Sequence, residues 1–126
     1  MLNSAVLCLA LTIYYEARSE PLDGQVAVAQ VVTQRVKSSS YPNSICAVVK
    51  QKYQFSFYWD GKPEKPEDMI AWGKAIAIAQ KVKNGKLAYI VPNCLWYYNP
   101  YIADPKWAKN LKLFVQIGKH KFMQKI

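Results

Sequence analysis

At 126 residues, 52% of them hydrophobic, the chain has the size and apolar content of one domain with one substantial core, and residues 1–126 are expected to form it without an internal linker or repeat. Its 17 Lys and Arg against 8 Asp and Glu leave a net charge of +9, which attracts polyanions, anionic cell envelopes and nucleic acid alike, and so does not choose a partner. The three cysteines, at 8, 46 and 94, and the single histidine, at 120, match no zinc or redox spacing, so no structural metal and no cofactor are expected.

The first apolar stretch, SAVLCLALTIYY, is too short to span a bilayer. No Lys or Arg precedes it, and it runs into Glu16 and Arg18 without a small-residue cleavage site, so it reads as a buried helix over residues 4 to 18 rather than a signal peptide. Ala5, Leu9, Thr12, Ile13 and Glu16 follow helical spacing, which puts Glu16 on the core-facing side. Burial beside Ile13, Tyr14 and Tyr15 disfavours a charged carboxylate and raises its pKa. That is how a glutamic acid stays protonated near neutral pH and serves as the general acid that glycoside cleavage needs. From this residue alone a plainer reading stands level: Glu16 ends a buried helix and reaches solvent or pairs with Arg18 or a lysine.

A second helix is signalled by Asp23 as N-cap after Pro21, with an apolar stripe through Val28, Val32 and Val36 and Lys37 near its end. VAVAQVV also fits a strand, but the length and the cap favour helix. A short third helix opens at Tyr41-Pro42-Asn43-Ser44 and runs through Val49. DGKPEKPED, at 60–68, reads as a surface loop. A fourth helix starts at Pro66-Glu67-Asp68, places Trp72, Ala75, Ile76, Ala79 and Val82 at helical spacing, and stops at Asn84-Gly85. Beyond it, LAYIV (87–91), LWYYN (95–99) and FVQIGKHKFM (114–123) are strand candidates, and Asp104-Pro105 opens a short helix carrying Trp107 and Leu111. The outline is α+β, mainly helical, with a small antiparallel sheet. Cys8 reads as a small core residue, while Cys46 and Cys94 are left as a pair that an oxidising compartment could join; the sequence leaves that bond open.

Five segments then occur in one order over almost the whole chain: IYYEARSEPLDGQVAVAQVV, YPNSICAVV, QFSF, WYYNP and WAKNLKLFVQIGKHKFM. In this order they resemble the spore-cortex-lytic type of cell-wall hydrolase. The resemblance implies a lysozyme-like fold and a peptidoglycan lytic transglycosylase or muramidase that cuts the β-1,4 bond between N-acetylmuramic acid and N-acetylglucosamine. It places the catalytic glutamate on Glu16. As acid, Glu16 would protonate the departing oxygen; as carboxylate, it would then deprotonate the muramyl 6-hydroxyl or a water.

Of the other carboxylates near these motifs, Asp23 is taken by its cap, Asp60 lies in the loop, and Glu20 suits holding Arg18 or the following loop better than nucleophilic work. Transglycosylation without a covalent enzyme intermediate is therefore expected. On the resemblance, Gln54 and Ser56 of QFSF offer hydrogen bonds to the sugar and Phe55 packs beneath, although alone the segment reads as ordinary core aromatics. Tyr97 and Tyr98 offer an aromatic face to a pyranose and Asn99 fixes its polar edge, with one tyrosine of the pair facing inward. The chain departs from the family pattern in having Ser19 where Gly is common, Gln34 where Asn often precedes Arg, and YYNP where histidines occur. His120 is read as an anchor for the terminal strand and left out of the site.

A basic nucleic-acid-binding module is the competing class. It finds no motif here, and only two of the 17 basic residues are Arg, the usual bidentate reader of bases, so no nucleic acid partner is expected. A non-catalytic wall-binding or virion protein would keep the fold and need no proton donor. A bare domain without an export signal looks like a monomeric phage lysis enzyme, an endolysin made in the host cytoplasm and acting at the wall, its charge holding it to the anionic envelope.

Overall fold

The computed structural model describes residues 3–51 and 66–126. Helix α1 (Ser4–Ala17) starts where Asn3 accepts the Val6 N–H at 2.9 Å. α2 (Leu22–Lys37) has Pro21 at its N-cap position with no side-chain cap, so Asp23 is not the cap expected of it; it lies in the first turn, where a negative charge favours the helix dipole. Ser44 caps α3 (Ile45–Val49), and Asp68 caps α4 (Met69–Lys83) by accepting the Ala71 N–H at 3.0 Å. α4 stops as its Asn-Gly signal predicts. Gly85 takes φ +68°, and Gly85 N–H and Lys86 N–H donate back to the carbonyls of Val82 and Lys81, the paired bonds of a Schellman motif.

α2 is the centre of the molecule, buried continuously from Gly24 to Val32. Val26, Ala29 and Val32 face a cluster built with α1, α3 and α4, whereas Ala27, Val28 and Val31 face a second cluster under the sheet with Val91, Cys94 and Phe122. A helix covered on all sides loses its polar stripe, which is why VAVAQVV also resembles a strand.

The sheet has order β1-β3-β2, all antiparallel, from β1 (Cys94–Tyr98), β2 (Leu111–Ile117) and β3 (His120–Lys125). The candidate strand at 114–123 is instead the heart of a hairpin, turned at Gly118 with φ +56°. Leu111 opens β2 rather than lying in a helix; the short helix before it is a 3₁₀ turn, Lys106–Asn110. LAYIV is not a strand. Its backbone is held by Gln30, 1% exposed, whose Nε2 donates to Ala88 O and whose Oε1 accepts the Ile90 N–H, each at 2.9 Å. A buried amide that supplies both partners replaces the ladder that β-forming residues otherwise seek.

The Cys46–Cys94 pairing is overturned. Cys46 is bonded to Cys8, which is therefore not a free core thiol, and Cys94 is buried and free. Cys8 sits two helical turns before Glu16, so the bridge fixes the helix carrying that acid to the start of α3. Among the described residues no helix is long and apolar enough to cross a membrane.

Candidate active site

Glu16 occupies the last turn of α1, partly buried. Tyr97 of β1 donates its hydroxyl to Glu16 Oε1 at 2.9 Å. The inward turn of Tyr97 follows from an irregularity in the strand. Cys94 pairs with Gln124 and Trp96 with Met123, so Leu95 is an extra residue against β3. Alternation along a regular strand would send Cys94 and Tyr97, three residues apart, to opposite faces; the bulge restores both to the buried face. Arg35 steadies the bulge: its Nε donates to Leu95 O at 2.7 Å, and its guanidinium lies 4.9 Å from the Tyr41 ring centre.

Burial, then the neighbouring Glu16 charge and its hydrogen bond, hold the Tyr97 phenol well above its ordinary pKa, while the charge of Arg35 opposes them. Tyr97 is thus a proton-bearing donor at neutral pH, and the atom it faces is a carboxylate oxygen. Burial also lowers the Arg35 pKa, partly offset by Tyr41 and Tyr97.

Of the site residues expected from sequence, Glu16 and Tyr97 are brought together. Tyr98 points to the opposite face and meets Trp107 edge-on, ring centres 5.6 Å apart. The Oδ1 of Asn99 accepts the Tyr101 N–H at 2.9 Å and its carbonyl accepts from Ile102 and Ala103, so this side chain closes the turn after β1. Gln54, Phe55 and Ser56 lie outside the described residues. Sequence reasoning missed Arg35; the signal available was an arginine inside the apolar run of α2, which needs a buried partner. His120, set aside as a strand anchor, packs edge-on against Tyr97 with ring centres 5.0 Å apart.

The Glu20 side chain holds the β2–β3 hairpin rather than Arg18 or the loop that follows it. Its Oε1 accepts the Lys119 N–H at 2.9 Å, and its backbone carbonyl accepts from Gln25 Nε2. Arg18 turns away to Tyr14, donating to its carbonyl and lying over its ring. Among the described residues no cluster of His, Cys, Asp or Glu is arranged to hold a metal ion. A wide groove of about 1010 Å³ runs between α2, α4 and residues 87–90, walled by Leu22, Val26, Ile70 and Ile78. It includes neither Glu16 nor Tyr97, although the carboxylates Glu20, Asp23 and Asp68 line it.

The profile of the cell wall hydrolase family matches residues 19–123. The chain belongs to that family. The match begins past Glu16, so membership does not lean on the candidate acid. This cell wall hydrolase is 30% identical over 122 residues to the spore cortex-lytic enzyme of Bacillus subtilis strain 168, covering 97% of this chain and 38% of that protein. It is 35% identical over 115 residues to the spore cortex-lytic enzyme of Bacillus cereus, covering 90% of this chain and 42% of that one. The chain thus spans about two fifths of these relatives. The catalytic domain of the germination-specific lytic transglycosylase SleB from Bacillus anthracis superposes with a TM-score of 0.82 at 32% identity, covering 98% of this chain and 97% of that one. The SleB catalytic domain of Bacillus cereus superposes at 0.78, also at 32% identity. The fold is the α+β, lysozyme-like one expected.

Proposed function

We propose that this cell wall hydrolase is a peptidoglycan lytic transglycosylase with Glu16 as its one general acid and base. The observation that supports this best is the Tyr97 hydroxyl on Glu16 Oε1. Glu16 gives its proton to the glycosidic oxygen between N-acetylmuramic acid and N-acetylglucosamine as the C1–O bond breaks and positive charge gathers on the muramyl ring. The resulting carboxylate accepts the proton of the muramyl 6-hydroxyl, whose oxygen bonds to C1 and closes a 1,6-anhydro ring. The Tyr97 phenol stabilises Glu16 in this charged interval.

A hydrolytic muramidase by double displacement would need a second carboxylate as nucleophile. The one four residues away, Glu20, is engaged with the Lys119 N–H, which favours the intramolecular route. Zymography on peptidoglycan with wild type and Glu16→Gln tests the acid: clearing by wild type alone is expected, and equal clearing by both refutes it. Mass spectrometry of the products tests the route, with 1,6-anhydromuramyl ends expected and reducing ends alone assigning a muramidase instead. The finer reading is a phage lysis enzyme acting at the wall. The +9 charge supports it, since it suits retention on an anionic envelope. Lysis of cells only when a pore former is co-expressed is the expected result.

A further inference from the structure

Glu20 is a carboxylate that the proposed chemistry leaves unused, yet its side chain is only 8% exposed. A buried charge is costly unless several groups answer it. Three consecutive residues of the β2–β3 hairpin crowd it, and one of them, Lys119, donates a hydrogen bond. Lys119 N–H donates to Oε1 at 2.9 Å, and His120 Nδ1 stands 3.5 Å from the same oxygen. Gly118, in the left-handed region, lies so near that a Cβ there would collide with Oε1. On the helix side Gly24 is less confined, since a Cβ on it would make a tight contact, 3.2 Å, with the Glu20 Cβ.

His120 continues the contact towards the candidate active site. Its side chain is 10% exposed, and Nδ1 makes no hydrogen bond among the described residues, its contact with Glu20 Oε1 being 3.5 Å. The titratable groups packed against it are Glu20 from the α1–α2 turn and Tyr97 from β1. Tyr97 meets it edge-on at 72° and carries the hydroxyl that reaches Glu16.

We propose that Glu20 is a positioning residue for Glu16: it seats His120, and the His120 ring holds Tyr97 where its phenol meets the Glu16 carboxylate. Glu20 touches no reacting atom. This explains why two carboxylates four residues apart have different fates, one facing β1 and the other closed under the hairpin. The proposal rests on Glu16 being the acid, and its test separates the two.

Kinetics on soluble glycan fragments with Glu20→Ala, Tyr97→Phe and the double variant read the coupling. Glu20→Ala is expected to lower kcat by roughly tenfold with little change in KM, as Tyr97→Phe does, the loss expected for one hydrogen bond to a charged group. Both move the basic limb of the kcat profile to higher pH, because a carboxylate that loses a donor holds its proton more tightly. Adding Glu20→Ala to Tyr97→Phe costs less than about twofold more. Glu20→Gln, whose amide oxygen still accepts the Lys119 N–H, recovers most of the rate. Losses that multiply in the double variant overturn the proposal, as does a Glu20→Ala protein that melts earlier with kcat and pH limb unchanged. The chain has one histidine, so its NMR titration is a readout independent of catalysis. Glu20→Gln should lower the His120 pKa by removing the charge that raises it. An unmoved titration refutes the contact, whatever Glu16→Gln does to activity.

Discussion

The helical core and the core beneath the sheet share α2 but are fastened differently. Leu9, Ile13, Val32, Val48 and Ile78 pack between helices that a covalent Cys8–Cys46 bridge also ties. Val28, Val31, Val91 and Phe122 surround a free thiol, and there the fastening is polar: Gln30, Gln34 and Arg35 of α2 take up the backbone of residues 88–95. Tyr97 packs against both clusters. Glu16 belongs to a helix of the first and its phenol donor to a strand of the second, so their 2.9 Å contact measures how the two cores are registered. A hydrogen-bonded pair placed at such a seam is sensitive to either side, whereas one within a single core would follow that core alone.

The largest expected effect comes from the seam itself. Glu16→Gln keeps the volume and removes the titrating proton, and should cost on the order of 10² to 10⁴ in rate with the melting temperature nearly unchanged, read by turnover of soluble glycan beside a thermal scan. Opening the helical core comes next. Cys8→Ser with Cys46→Ser, or reduction, removes a bridge spanning 38 residues and should cost about 4 kcal/mol in urea unfolding on the chain-entropy estimate. On the sheet side, Gln30→Leu strands Ala88 O and Ile90 N–H and should cost roughly 2 kcal/mol, with exchange of the Ile90 amide rising more than that of α1.

A smaller effect is set by pH. Burial lowers the His120 pKa below 6.5, against the pull of Glu20, so the folded protein keeps the imidazole neutral while the unfolded chain accepts a proton. Its contribution is complete above about pH 6.5 and is lost as pH falls below that value. Melting temperatures from pH 8 to 5 should fall less steeply in His120→Gln than in wild type. The smallest concerns Cys94, whose thiol burial pushes up to about 11. A thiol reagent at neutral pH should leave it unlabelled until the sheet core opens.

What was legible in the sequence follows the same division. Local rules fixed the helical side: Ser44 and Asp68 are caps, and Asn84-Gly85 is a stop, because each acts on backbone groups a few residues away. The sheet side depends on partners about 60 residues distant. Nothing within LAYIV announces that Gln30 will replace a strand neighbour, and nothing within LWYY announces a bulge at Leu95. That bulge selects Tyr97 over Tyr98, which is why spacing alone left the pair undivided. The disulfide stayed open in the sequence for a similar reason: Cys8 has an apolar setting there, and only the packing of α3 on α1 brings Cys46 to it.

The grip of α2 on the start of β1 has a consequence for solubility. β1 is an outer strand of its sheet, and outer strands offer unpaired carbonyls to passing chains. Gln34 Nε2 takes the Cys94 carbonyl at 3.1 Å and Arg35 Nε takes that of Leu95 at 2.7 Å. Those carbonyls are closed to a foreign strand, so Gln34 and Arg35 also guard this edge of the sheet against edge-to-edge aggregation.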